Sequence, residues 1–95
     1  MRRALVTGAG RRLGRAMAEW LGAQGWDVAL HYAGSAEGAE AAAATVRAGG
    51  RQAVSLQADL LDDDQAAALI PRAVEALGGP LTLLINNASI FEPDS

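Results

Sequence analysis

Four short apolar runs, alternating with longer segments of helical periodicity, constrain what this chain can become more than any other feature. Ala4-Leu5-Val6, Val28-Ala29-Leu30-His31-Tyr32, Ala53-Val54-Ser55-Leu56 and Leu81-Thr82-Leu83-Leu84-Ile85 have the length and composition of strands. The first and last are apolar on both faces, as a central parallel strand covered by helices on each side must be. Between them, Leu13, Ala16, Met17, Trp20 and Leu21 recur at helical spacing and predict a core-facing stripe, stopped by Gly22 and Gly25. Ser35 predicts the N-cap of a second helix, with Ala39, Ala43 and Val46 inward and Gly49-Gly50 at its end. A third stripe, Ala66, Leu69, Ile70, Ala73, Val74 and Leu77, ends at Gly78-Gly79, and Asp62 with Gln65 is placed to form its capping box. Pro71 inside this helix predicts a kink or break, because an interior proline removes a backbone bond and costs roughly 3 kcal/mol. With right-handed crossovers, the alternation predicts an α/β fold: the N-terminal half of a doubly wound parallel sheet in strand order 3-2-1-4.

Ninety-five residues allow one core and no more than one domain, and no linker or repeat divides them. A fourth strand left as an apolar sheet edge is an aggregation liability. Residues 1–95 are therefore expected to be the N-terminal part of a single domain, incomplete at Ser95. The net charge of −3 and pI near 4.9 argue against nucleic-acid or anionic-membrane partners. All of the basic residues are arginine. The absence of cysteine excludes disulfides and thiolate metal sites and fits a reducing, cytoplasmic setting. Met1-Arg2-Arg3 precedes an apolar run, but the run stops at Thr7-Gly8, too short for a signal peptide. No stretch approaches the ~18 apolar residues of a membrane span. Asp62-Asp63-Asp64 reads as a helix start exploiting the N-terminal dipole, and no metal site is expected.

Thr7-Gly8-Ala9-Gly10-Arg11-Arg12-Leu13-Gly14 lies between the first strand and the first helix. Gly8 lets the chain leave the strand sharply, and Gly14 lets the helix approach the sheet. The N–H groups opening that helix then face outward with a partial positive charge, suited to a pyrophosphate. Arg11 and Arg12 add two charges at the same mouth, each charge-assisted bond being worth ~1.5–3 kcal/mol. The bland alternative is a tight turn with no ligand; such a turn has no need of two arginines.

In a dinucleotide fold, an Asp or Glu closing the second strand accepts from the ribose 2′-hydroxyl of NAD and repels the 2′-phosphate of NADP. Here that end reads His31-Tyr32-Ala33-Gly34-Ser35, with no carboxylate before Glu37. Its absence, with Arg11, His31 and Ser35 near, favours NADP(H). For His31 two readings stand, a ligand or a strand-end residue bonded to backbone; Ser35 is expected to cap the helix whether or not it also meets a phosphate.

Taken together, Thr7-Gly8 with Gly14, Ala58-Asp59-Leu60 after the third strand and Asn86-Asn87-Ala88-Ser89 after the fourth resemble the short-chain dehydrogenase/reductase family, in order and spacing, over essentially the whole chain. Within it the chain looks most like the pteridine reductases and the dihydromonapterin or alternative dihydrofolate reductases. Those place arginine at the middle turn glycine, here Arg12, and end the fourth-strand motif in Asn-Ala-Ser. They also carry His-Tyr at the second strand's end, as His31-Tyr32 does, and an aromatic two residues past the serine, matched by Phe91.

The resemblance implies a Rossmann nucleotide-binding domain in which Gly8, Arg11, Arg12, Leu13 and Gly14 cradle the cofactor phosphates. Asp59 would accept from the adenine amino group beside the Leu60 backbone, and Asn87 and Ala88 would line the ribose path. Ser89 would sit where cofactor and substrate meet, Phe91 would stack on a pterin, and Arg12 would bridge pyrophosphate and substrate. Stacking adds ~0.5–1.5 kcal/mol to burial. One departure is Gly34, where pteridine reductases commonly carry a 2′-phosphate-binding arginine.

The family's proton donor is a tyrosine with a lysine four residues on, a positioned acid tuned toward working pH. The sole tyrosine, Tyr32, has Ala36 at that place. No catalytic residue is therefore expected in this chain, and the pair should lie after Ser95. The implied activity is NADPH-dependent reduction of a pterin-like small molecule by a homo-oligomer, a tetramer by resemblance. The alternatives are a generic short-chain carbonyl or 3-oxoacyl reductase and a non-catalytic nucleotide-binding sensor. A methyltransferase is disfavoured, since such sites usually want an acid at the second strand's end.

Overall fold

The computed structural model describes residues 2–87. Four strands, β1 (Arg3–Thr7), β2 (Asp27–Tyr32), β3 (Ala53–Gln57) and β4 (Leu83–Asn86), alternate with three helices, α1 (Arg12–Ala23), α2 (Ala36–Ala48) and α3 (Asp63–Leu77). All strand pairs are parallel and the order is β3-β2-β1-β4, as the alternation predicts. Thr7 pairs with Asn86 and Tyr32 with Gln57, so the carboxyl ends of all four strands meet at one edge of the sheet. In an open α/β sheet that edge is where ligands bind.

The period of two along β1 and β2 divides the core into two layers. Ala4, Val6, Val28 and Leu30 face α1 and α2, meeting Ala18, Leu21, Ala42, Ala43 and Val46. Leu5 and Ala29 face the other way, with Leu56, Ala58 and the α3 residues Leu69, Ala73 and Leu77. Each fully buried Leu or Val contributes about 1.5–3 kcal/mol relative to exposure.

The inner face of α1 differs from the expected stripe. Gly14, Ala18, Leu21 and Gly22 are buried, whereas Leu13 is 64% and Trp20 61% exposed. Small residues let the helix come close to its neighbours: a Cβ on Gly22 would lie 2.8 Å from Val46 Cγ2. Gly22 is thus a helix-packing residue and not a stop. The stop is Gly25, with φ +93°, where the N–H of Gly25 bonds to the Gly22 carbonyl and that of Trp26 to the Leu21 carbonyl, a Schellman arrangement.

Helix α2 ends at Gly49 as expected, but Ser35, at its N-cap position, makes no side-chain capping bond. In α3, Asp62 accepts from the N–H groups of Asp64 and Gln65. The Gln65 side chain does not close the box on Asp62 N–H; its Oε1 accepts from Asp59 N–H at 2.8 Å. Of the kink or break expected at Pro71 the break is absent, and α3 persists as one helix from Asp63 to Leu77. Pro71 and Ala67 are both exposed, so the helical bond that Pro71 cannot donate to Ala67 is lost on the solvent side of α3. The fourth strand begins at Leu83 rather than Leu81 and is covered less evenly than its composition predicts, Leu84 remaining 50% exposed.

Candidate functional site: the turn at the carboxyl edge of the sheet

The chain leaves β1 through Gly8, whose φ of 66° is left-handed and favours glycine. The turn closes with Arg11 N–H on the Gly8 carbonyl at 3.3 Å, and Ala9 N–H donates to the His31 carbonyl at 2.7 Å. Arg11 occupies the N-cap position of α1 in extended conformation, with no side-chain capping bond and no acidic residue in the first turn. Helix α3 begins oppositely, capped by Asp62 and carrying Asp63 and Asp64. The opening N–H groups of a helix have no partner within it. At α1 no acidic residue stands in the first turn to offset their positive end, and Arg12 beside them is exposed. This is an anion-accepting arrangement.

Glycines hold the turn from three directions. A Cβ on Gly14 would stand 2.3 Å from the Gly8 carbonyl oxygen and 2.7 Å from Asn87 Nδ2. A Cβ on Gly10 would stand 2.4 Å from the Ser35 carbonyl oxygen, and one on Gly38 2.3 Å from that of Gly10. The start of α2 is therefore pressed onto the turn, which carries Ser35 to the mouth. Gly10 and Gly38 were not among the sequence-derived candidates. The available signal was Gly38 itself, a residue costing about 1 kcal/mol against alanine in an otherwise Ala-rich helix.

His31 is 1% exposed and lies beneath the turn. Gly8 N–H donates to its Nδ1 at 3.1 Å, and its Nε2 lies 2.9 Å from the Ala58 carbonyl oxygen. Both ring nitrogens thus face main chain, which favours the backbone-bonded of the two readings. On the far side, Thr7 Oγ1 donates to Asn86 Oδ1 at 3.0 Å, and Asn87 Nδ2 donates to the Gly8 carbonyl at 3.3 Å. Asn86 and Asn87 thereby join the end of β4 to the turn.

Asp59 follows β3 at the same edge and is exposed; its Oδ1 accepts from Leu61 N–H at 3.0 Å. Leu60 packs against the layer under α3. Gly8, Arg11, Arg12, Gly14, Ser35, Asp59, Leu60 and Asn87 therefore gather along the carboxyl edge, with Leu13 exposed at the start of α1. Ala88, Ser89 and Phe91 lie outside the described residues. No cluster of His, Asp or Glu suited to a metal occurs among the described residues, and no helix there is long and apolar enough to cross a membrane.

This parallel sheet, with a glycine turn opening its first helix at the carboxyl edge, defines a Rossmann-like nucleotide-binding class of α/β protein. The chain belongs to the short-chain dehydrogenase family, whose model matches residues 2–95. It is 44% identical over 87 residues to the 3-oxoacyl-(acyl-carrier-protein) reductase FabG of Staphylococcus aureus, covering 92% of this chain and 35% of that protein. Among solved structures it is similar to a short chain dehydrogenase from Burkholderia cenocepacia in complex with NADP, with 47% identity and a TM-score of 0.89, covering 99% of this chain and 38% of that one. It is also similar to FolM alternative dihydrofolate reductase 1 from Brucella suis in complex with NADP, with 40% identity and a TM-score of 0.86, covering 98% and 38%. The chain spans about a third of the length of the curated relatives it matches.

Proposed function

We propose that the chain is the nucleotide-binding part of an NADPH-dependent short-chain reductase acting on a pterin-like small molecule. The carrying observation is the start of α1: no side-chain capping bond at its N-cap, no acidic residue in its first turn, and Arg12 exposed at the mouth of a glycine turn. A pyrophosphate fits that charge, Asp59 offers a carboxylate to an adenine amino group, and Ser35, pressed onto the turn that bears Arg11, follows an end of β2 with no acid to repel a 2′-phosphate. The complexes of similar proteins with NADP support the same cofactor.

When bound, the reduced nicotinamide supplies a hydride; the residues of this chain hold and orient the dinucleotide, and the proton donor is assigned to sequence beyond Ser95. The pterin reading rests on Arg12 at the family's glycine position and on the likeness to FolM. The likeness to FabG favours a second reading, reduction of a 3-oxoacyl thioester. The two separate in one assay on the full-length protein: NADPH oxidation with dihydrobiopterin against acetoacetyl thioester. Turnover of the thioester alone removes the pterin reading. Calorimetry showing no heat with NADPH or NADH removes both.

A further inference from the structure

We propose that His31 is a positioning residue whose neutral imidazole sets the turn through Nδ1 and the Asp59 loop through Nε2. The role in dinucleotide binding rests on the function proposed above; the hydrogen-bond assignment does not. Gly8 N–H is a donor with Nδ1 at 3.1 Å, so Nδ1 must be the unprotonated, accepting nitrogen. The ring proton then sits on Nε2 and is donated to the Ala58 carbonyl at 2.9 Å. His31 is 1% exposed; its bond to the Ala58 carbonyl is buried and its bond to Gly8 N–H part-buried. Ala58 directly precedes Asp59, and Gly8 directly follows β1. One ring thus spans the loops after β1 and β3, fixing the phosphate-side turn against the carboxylate proposed for the adenine. A main-chain ladder cannot do this, because β2 separates those two strands.

The two functions of the ring separate by isosteric replacement in the full-length protein. Asn Oδ1 stands as many bonds from Cβ as His Nδ1, so His31→Asn keeps an acceptor for Gly8 N–H and loses the link to Ala58. Gln Nε2 corresponds to His Nε2, so His31→Gln keeps the donor to Ala58 and removes the acceptor of the part-buried Gly8 N–H. In the wild type, ¹⁵N spectra of the imidazole are expected to show a pyridine-like Nδ1 and a pyrrole-like Nε2. Gly8 amide exchange protection is expected to fall in His31→Gln and to persist in His31→Asn. NADPH affinity is expected to fall about tenfold in His31→Gln, where the Gly8 N–H that sets the turn loses its acceptor, with a smaller loss in His31→Asn.

A protonated ring, the opposite tautomer, equal Gly8 protection in both variants or equal NADPH affinity in both overturns the proposal. If either variant fails to fold, the wild-type ¹⁵N spectrum decides the assignment alone. If the wild type binds neither NADPH nor NADH, the proposed function fails, while the tautomer and the Gly8 exchange still decide what His31 holds.

Discussion

Gly14 and Arg12 lie two residues apart and test different things. At Gly14 an added methyl meets the Gly8 carbonyl oxygen at 2.3 Å, a main-chain group that cannot easily retreat, and the Asn87 side-chain amide at 2.7 Å. Gly14→Ala is therefore expected to lower stability by about 1–3 kcal/mol, measured by urea unfolding, and to weaken NADPH binding with it. Arg12 is exposed, so Arg12→Ala is expected to leave unfolding within about 0.5 kcal/mol of wild type. On the function proposed above, the same change in the full-length protein should weaken both NADPH and pterin binding by calorimetry; unchanged constants for both remove Arg12 from the site. At this scale the sequence was informative wherever a residue's chemistry is unusual for its place, as with two arginines at a turn or a missing acid at the end of β2. It was silent where two roles share one chemistry. Nothing in His31-Tyr32 distinguishes an imidazole aimed at a ligand from one tied to Gly8 and Ala58, because that depends on how β3 lies beside β2.

Among the elements, the misreading of α1 has a physical origin. Periodicity weights large apolar residues, yet of the expected stripe Leu21 is buried while Leu13 and Trp20 are exposed, and the small residues Gly14, Ala18 and Gly22 complete the inner face. Close approach is the reason. Gly22 sits against Val46, so α1 and α2 pack nearer than two leucine-faced helices would. Gly22→Ala is expected to destabilise despite alanine's better helix propensity, by about 1 kcal/mol or more in thermal or urea unfolding. Adding Val46→Ala removes the methyl groups that collide, so the double variant should lose less than the sum of the two single ones. An additive result would show that the contact between Gly22 and Val46 is not what requires glycine. Pro71 carries the complementary lesson: a residue that breaks an average helix is accommodated on an exposed face, where the missing bond falls between two exposed residues.

For the molecule as a whole, strand order was legible because chirality and the alternation of elements leave few topologies, and the same order places the turn, Ser35, Asp59 and Asn87 at one edge. The charge distribution makes a further prediction. The chain carries −3 overall while two arginines stand at the turn, so its attraction for a polyanion is local and open to screening. NADPH affinity of the full-length protein is expected to fall as salt is raised, and NADH affinity to fall less steeply because it lacks the 2′-phosphate; equal salt slopes would take Arg11 and Ser35 away from that phosphate.

The bond from Asn87 to Gly8 joins residues 79 positions apart. During synthesis the glycine turn and the start of α1 leave the ribosome long before the strand that closes their far side. A nascent chain halted short of Asn87 carries most of the mouth without this last wall, so retention on an immobilised adenine nucleotide should rise only once β4 has emerged. The ligand would then report the moment at which the sheet acquires its fourth member.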